Sequence, residues 1–153
     1  MVKKLPIYDP EELNFVLNKF VPDIVQAPFN IVDRRLEKNG WLEVLNKQNI
    51  EIHVRSVFLQ GLLLLDSKKR PKNLLKYKKF WKDWDNWLIS IRLSPLKACL
   101  AFCNSYELID KFIVGVDSFE QFKEILNSSK SQLDDFPDYL SQTDNKLINP
   151  SWW

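Results

Sequence analysis

An α/β fold on a parallel sheet is predicted by three observations. Short β-rich runs alternate with helical periodicities, the turns between them are short and polar, and no low-complexity linker divides the 153 residues. Strands joined through helices pair in parallel by right-handed crossovers, so the alternation implies about four successive βα units. They form one domain, residues 1–153. A closed eight-stranded barrel requires twice that number of units and roughly 250 residues. A chain of this length buries roughly two-thirds of its unfolded surface, so neither a disulfide nor a metal is needed to hold it together.

Taken in order, Lys4 to Tyr8 is the first strand candidate. A helix follows, because Asp9 is a good N-cap, Pro10 suits the first helical position and Glu12 completes an acidic capping box. Its apolar face is Leu13, Val16, Leu17 and Phe20. Pro22 ends it, and Asp23 to Ile31 (DIVQAPFNI) reads as a second strand interrupted near its end by Pro28. Asn39 and Gly40 open a short helix carrying Trp41, Leu42 and Leu45. The run from Ile50 to Leu65 is strand in its first half, with Gln60-Gly61 marking a turn.

An insert of about residues 67–93 has a different texture. Leu74, Tyr77, Trp81, Trp84, Leu88 and Ile91 recur at three- and four-residue steps, predicting a long Trp-rich amphipathic helix from Lys68 to Ile91. Ser94-Pro95 starts another helix whose face of Leu96, Cys99, Leu100 and Cys103 assigns both cysteines to the core. Phe112 to Val116 reads as a buried strand. Ser118 with Gln121 forms a capping box for the last clear helix, facing inward with Phe122, Ile125 and Leu126. The tail, 128–153, is polar, with Ile148, Trp152 and Trp153 as its docking residues.

Composition excludes several functions. Twenty-two basic against 20 acidic residues, net +2, name no partner. The two cysteines lack the Cys/His clustering of a zinc site and suit a reducing compartment. No run reaches the ~18 apolar residues of a membrane span, and no signal-peptide core is present, so the expected address is cytoplasmic. His53, the only histidine, lies in strand register and Tyr8 at a strand end, both structural readings. Asp134, Asp135 and Asp138 read as a solvated loop. No nucleophile elbow, Walker loop or Gly-rich fingerprint is present. The one charge concentration, Lys68 to Lys82, interleaves Lys and Arg with Tyr77, Phe80 and Trp81. It suits a solvated helix face, or else a phosphate backbone or an anionic surface.

Three marks then fall in register. They are Gln26 and Asn30 in VQAPFN followed by Asp33-Arg34-Arg35; Arg55-Ser56 leading into Phe58-Leu59-Gln60-Gly61; and Val114-Gly115-Val116 followed by Ser118, Gln121 and Glu124. In this order the chain, from about Lys4 to Leu126, resembles the C-terminal half of the aldo/keto reductase family. The resemblance implies half of a (β/α)8 TIM barrel, strands five to eight, with an inserted Trp-rich helix. It also implies NADP across the mouth of the barrel. Gln26 would contact the nicotinamide carboxamide and Arg55 would pack over the ring. Ser56 to Gly61, Phe58 included, would cover the pyrophosphate, with Gly115, Ser118, Gln121 and Glu124 toward the adenosine end. The insert's lysines would neighbour the phosphates.

Departures from the family pattern predict weakened or lost cofactor binding. The Ser-plus-amide pair after strand five is here Pro6-Ile7, Arg55 stands where an aromatic is common, Ile125 replaces the usual Asn beside Glu124, and Val116 stands where many members supply Lys or Arg. The family's Asp, Tyr, Lys and His catalytic set comes from its first four units, to which nothing here corresponds. No residue therefore takes a catalytic role, and no metal is implied. The expected function is that of a truncated homologue of NADPH-dependent oxidoreductases, not catalytic alone. The alternatives are a reductase half completed by a partner chain, and a binding module using Lys68 to Lys82, with nucleic acid disfavoured. A half-barrel leaves two strand edges open, so a homo-oligomer or a complementary half-barrel chain is the expected partner.

Overall fold

Four parallel strands form one sheet in the computed structural model, which describes residues 1–153. Their order follows the chain: β1 (Lys4–Pro6), β2 (Ile24–Pro28), β3 (Glu51–Arg55) and β4 (Lys111–Phe112). A single cross-strand row runs Pro6, Gln26, His53, Lys111. The crossovers carry α1 (Glu12–Val16), then α2 (Arg35–Lys38) and α3 (Trp41–Lys47), then α4 (Lys78–Ile91) and α5 (Pro95–Asn104). After β4 come α6 (Phe119–Ser128) and, in the tail, α7 (Asn145–Ile148). This is the α/β half-barrel expected of the sequence, open at β1 and at β4.

Strand alternation separates two faces. Val25, Ala27, Ile52 and Val54 have no solvent exposure and lie in the apolar core, while the alternate residues Gln26, Glu51 and Arg55 are half-buried. The core continues through α5, which is buried nearly all round, Cys99 and Cys103 included. Aromatic contacts tie the layers together. Phe29, beyond β2, meets Phe102 of α5 at 5.2 Å between ring centroids; Phe102 meets Phe136 of the tail at 5.2 Å, and Phe136 meets Trp87 of α4 at 6.2 Å.

The predicted caps form as local chemistry dictates. Glu12 Oε1 accepts from the backbone N–H of Tyr8 (2.8 Å) and of Asp9 (2.7 Å), and Asp9 Oδ1 accepts from Glu11 N–H at 3.0 Å. Ser94 Oγ accepts from Lys97 N–H, and Pro95 occupies the first turn of α5.

Several expectations are corrected. The insert is not one helix from Lys68: residues 67–77 fold as separate 3-10 turns, Ser67–Lys69 and Lys72–Leu74, before α4 begins at Lys78. Pro71 between them has no N–H to donate, so the helical ladder cannot run through it. Phe112 to Val116 is neither a long nor a buried strand, since β4 has two residues and Ile113 and Val116 are exposed. It is the sheet edge, with no strand beyond it to cover these side chains. For the same reason Phe122 and Leu126 of α6 are exposed, and only Ile125 of the expected face is buried. Phe20 is exposed, because α1 ends after five residues. The tail docks through Leu140, Leu147 and Ile148, not through Trp152 and Trp153, which are exposed. Asp138 is solvated as expected, its side chain 83% exposed, and it also pairs with Arg34 (3.5 Å) and Lys38 (3.2 Å). A helix at Arg35–Lys38 is present that no sequence signal announced.

Candidate functional site: a cleft at the strand C-termini

The carboxyl ends of β3 and β4 frame a cleft of about 380 Å³. One wall is the loop after β3, from Arg55 to Gly61; the other runs from Ile113 to Gly115 and on to Asp117 and Gln121 at the start of α6. The crevice outside the strand carboxyl ends is where open parallel sheets place their ligands.

The β3 loop is folded tightly. Ser56, Leu59, Gln60 and Gly61 all have positive φ, at 59°, 48°, 54° and 81°. For the three non-glycine residues this is a costly conformation that the surroundings must impose. Asn30 imposes it in part: its Nδ2 donates to the Ser56 carbonyl (3.0 Å), while its Oδ1 accepts from Val32 and Asp33 N–H, each at 2.9 Å. Asn30 is itself 1 % exposed, so the β2 loop and the β3 loop are locked together from inside.

Successive left-handed residues turn backbone N–H groups toward one side, the geometry of an anion-binding nest. Here the N–H groups of Val57, Phe58, Gln60 and Gly61 donate to no other protein group, nor do those of Gly115 and Val116 across the cleft. A Cβ added to Gly61 or to Gly115 would meet no protein atom within 4 Å, so the space beside both belongs to the cleft. At α6, Ser118 Oγ accepts from Gln121 N–H (3.1 Å) and Gln121 Oε1 from Asp117 N–H (2.7 Å), leaving the N–H groups of Phe119 and Glu120 free at the helix start.

Arg55 crosses the mouth at the other end. Its guanidinium donates to the Ile7 carbonyl (3.0 Å) and lies 4.6 Å from the Tyr8 ring centroid. Tyr8 is therefore an exposed lid on Arg55 rather than a packed strand end. Nearby, Arg35 grips Asp33 through two bonds of 2.9 Å and Asp9 through a third, also 2.9 Å, fastening the β1 and β2 loops; these carboxylates raise the affinity of Arg35 for its proton.

Of the sequence-predicted residues, Arg55, Ser56, Phe58, Gly61, Gly115 and Gln121 come together on this cleft. Gln26, Ser118 and Glu124 do not line it: Gln26 stands one strand away beside His53, Ser118 caps α6, and Glu124 is exposed one turn further along. None of the insert's lysines lines it either. In Lys68 to Lys82, Phe80 and Trp81 are buried and Tyr77 is half-buried, its hydroxyl donating to Asp144. Sequence reasoning passed over Asp117 as a lining residue and Asn30 as the clamp on Ser56, a contact between residues 26 apart. His53 is structural: its Nε2 lies 2.9 Å from Glu51 Oε1, which also accepts from Lys111 at 2.7 Å. No helix is long and apolar enough to cross a membrane.

Residues 8–137 match the model of the aldo/keto reductase family. Among solved structures, the chain is similar to an aldo-keto reductase from Bacillus halodurans, AKR11C1. To its apo form the TM-score is 0.66 at 16% identity, covering 84% of this chain and 45% of that one. To its holo form the TM-score is 0.64 at 16% identity, covering 84% and 44%. The chain thus spans less than half the length of these structures. No curated protein sequence matches it.

Proposed function

Because this chain belongs to the aldo/keto reductase family, we propose that it supplies the dinucleotide-holding half of a reductase barrel and has no catalytic set of its own. The observation that carries this reading is the convergence of unpaired N–H groups from the β3 loop and from the segment before α6 on one cleft. Such donors, joined by the start of α6, match the pyrophosphate of a nicotinamide dinucleotide better than any apolar ligand. Arg55, fixed by the Ile7 carbonyl and Tyr8, would flank the nicotinamide end, and Gln121 the adenosine end. Gln26 has a side-chain amide without a protein partner and would hold the carboxamide from the neighbouring strand.

When bound, the dinucleotide supplies a hydride. The chain's residues orient it: the nest fixes the phosphates, Gly61 and Gly115 leave room for close approach, and Asn30 keeps the loop in shape. The proton donor that carbonyl reduction also demands has no counterpart in these 153 residues. Reduction therefore needs the first four βα units, either elsewhere on a longer polypeptide or on a second one.

The test is calorimetric titration with NADH and with NADPH. At least one should bind at micromolar concentration, and Gly115→Val, whose Cβ would meet no protein atom within 4 Å, should abolish binding while leaving the melting temperature within about 2 °C, since exposed substitutions cost little. Binding of neither nucleotide would overturn the reading.

A specific observation favours assembly as well. Large exposed apolar side chains collect at the two open edges: Val2, Phe15, Phe20 and Val21 beside β1, and Ile113, Val116, Phe119, Phe122 and Leu126 beside β4. Patches of this kind mark interaction surfaces. We infer that a second half-barrel, another copy or a complementary chain, covers them; a monomer by light scattering at micromolar concentration would refute self-association.

A further inference from the structure

The charges around the cleft point to which dinucleotide it takes. Its lining holds one cation, Arg55, and one anion, Asp117, at opposite ends. Arg55 is already engaged by the Ile7 carbonyl and the Tyr8 ring. Asp117 is exposed; its backbone N–H donates to Gln121, but no hydrogen bond or ion pair occupies its carboxylate. Glu120 adds a second acid in the first turn of α6. The positive end of that helix is thus flanked by carboxylates of the chain itself, which answer the dipole an incoming phosphate would otherwise use.

We propose that the cleft selects the unphosphorylated dinucleotide, NAD(H) over NADP(H), and that Asp117 is the residue that sets this preference. The inference rests on the dinucleotide reading above. The pyrophosphate is common to both nucleotides and meets backbone N–H groups, which are indifferent to the choice. They differ only in the 2′-phosphate of the adenosine ribose, which brings about two further negative charges at neutral pH. No lysine lines the cleft to receive it, and its one arginine, Arg55, already lies against the Ile7 carbonyl and the Tyr8 ring. A free carboxylate, by contrast, accepts hydrogen bonds from a ribose diol, as acidic residues do in other dinucleotide sites. At the α6 end the same group attracts the one ligand and repels the other.

Calorimetric titration of the full chain with NADH and NADPH in parallel, at low and at physiological salt, tests this. NADH should bind tighter by up to about fivefold at low salt, the scale of an exposed charge contact, and the ratio should shrink as salt screens Asp117. Asp117→Asn should bring the ratio close to one, and Asp117→Lys should reverse it; both change an exposed side chain and should melt like the parent. Equal or tighter binding of NADPH by the parent, or a ratio unmoved by Asp117→Lys, would overturn the proposal while leaving the dinucleotide site intact. Binding of neither nucleotide would remove the site itself.

Discussion

Asn30 is the residue whose removal most directly tests how the cleft is held. In Asn30→Ala the Val32 and Asp33 N–H groups lose their acceptor, Asn30 Oδ1, in a region where both residues are buried. The Ser56 carbonyl loses the Asn30 donor but keeps the Leu59 N–H at 2.8 Å, so it is not orphaned. Two buried unpaired donors at about 1–3 kcal/mol each, eased by a water entering the vacated space, give roughly 3 kcal/mol. For a chain of this length that is a fall of roughly 6–12 °C in melting temperature. Asn30→Ser separates the two jobs of the side chain. A serine hydroxyl makes the same local turn, more weakly, but does not reach Ser56, so stability should fall by only about 1 kcal/mol while dinucleotide binding is lost with the shape of the β3 loop. Urea denaturation at constant m-value, paired with calorimetric titration, reads both quantities. A cost below 1 kcal/mol for Asn30→Ala, or native binding by Asn30→Ser, would refute the reasoning.

Other consequences can be measured directly. Trp84 has no solvent exposure and fills the space between α4 and the core, so Trp84→Ala should cost about 3–5 kcal/mol by chemical denaturation. Burial pushes the Cys103 thiol up to about 12 and raises Cys99 as well, so an aromatic disulfide reagent at pH 8 should leave the native chain unlabelled and modify both thiols in urea. The Tyr77 hydroxyl donates to Asp144 at 2.7 Å and, with the Lys146 N–H, holds that carboxyl below its ordinary value of 3.8. A lowered folded-state value contributes stability at neutral pH that is lost as pH falls through it. The stability gap between the parent and Tyr77→Phe should therefore close below pH 3.8, and a gap that persists in acid would contradict the contact.

What the sequence made legible was local. The capping residues Asp9 with Glu12, Ser94 before Pro95 and Ser118 with Gln121 act on backbone groups within four positions, so their chemistry can be read from spacing alone. The burial of Cys99 and Cys103 followed from one helical face for the same reason. Long-range facts were not legible. Leu74 and Tyr77 are three apart, a step that a 3-10 turn shares with an α-helix, and Pro71 decided which of the two formed. The exposure of Ile113, Val116, Phe122 and Leu126 depends on what lies beyond β4, information that no period in these residues carries. Six of the nine expected site residues converge on the cleft because the two loops that carry them follow adjacent strands, while Glu124 lies on the solvent side of α6.

The two faces of the sheet explain why a cleft can exist on half a barrel at all. Closed barrels fill their interior with layers of branched apolar side chains, whereas the interior-side row here includes Gln26, His53 and Lys111, with Glu51 close by. Glu51 accepts from Lys111 at 2.7 Å and lies 2.9 Å from the His53 ring, and these partners keep its carboxyl below the usual range, so the row is an ion-paired surface that tolerates water. The apolar face is satisfied by the helices, α5 above all. The cleft depends only on β3, β4, the Asn30 clamp and the start of α6, all internal to the chain. The exposed apolar residues lie instead on the elements flanking the two edges. The proposed ligand site and the proposed assembly surfaces are thus made of different residues: the cleft takes its shape within the chain, and the exposed apolar side chains lie away from it.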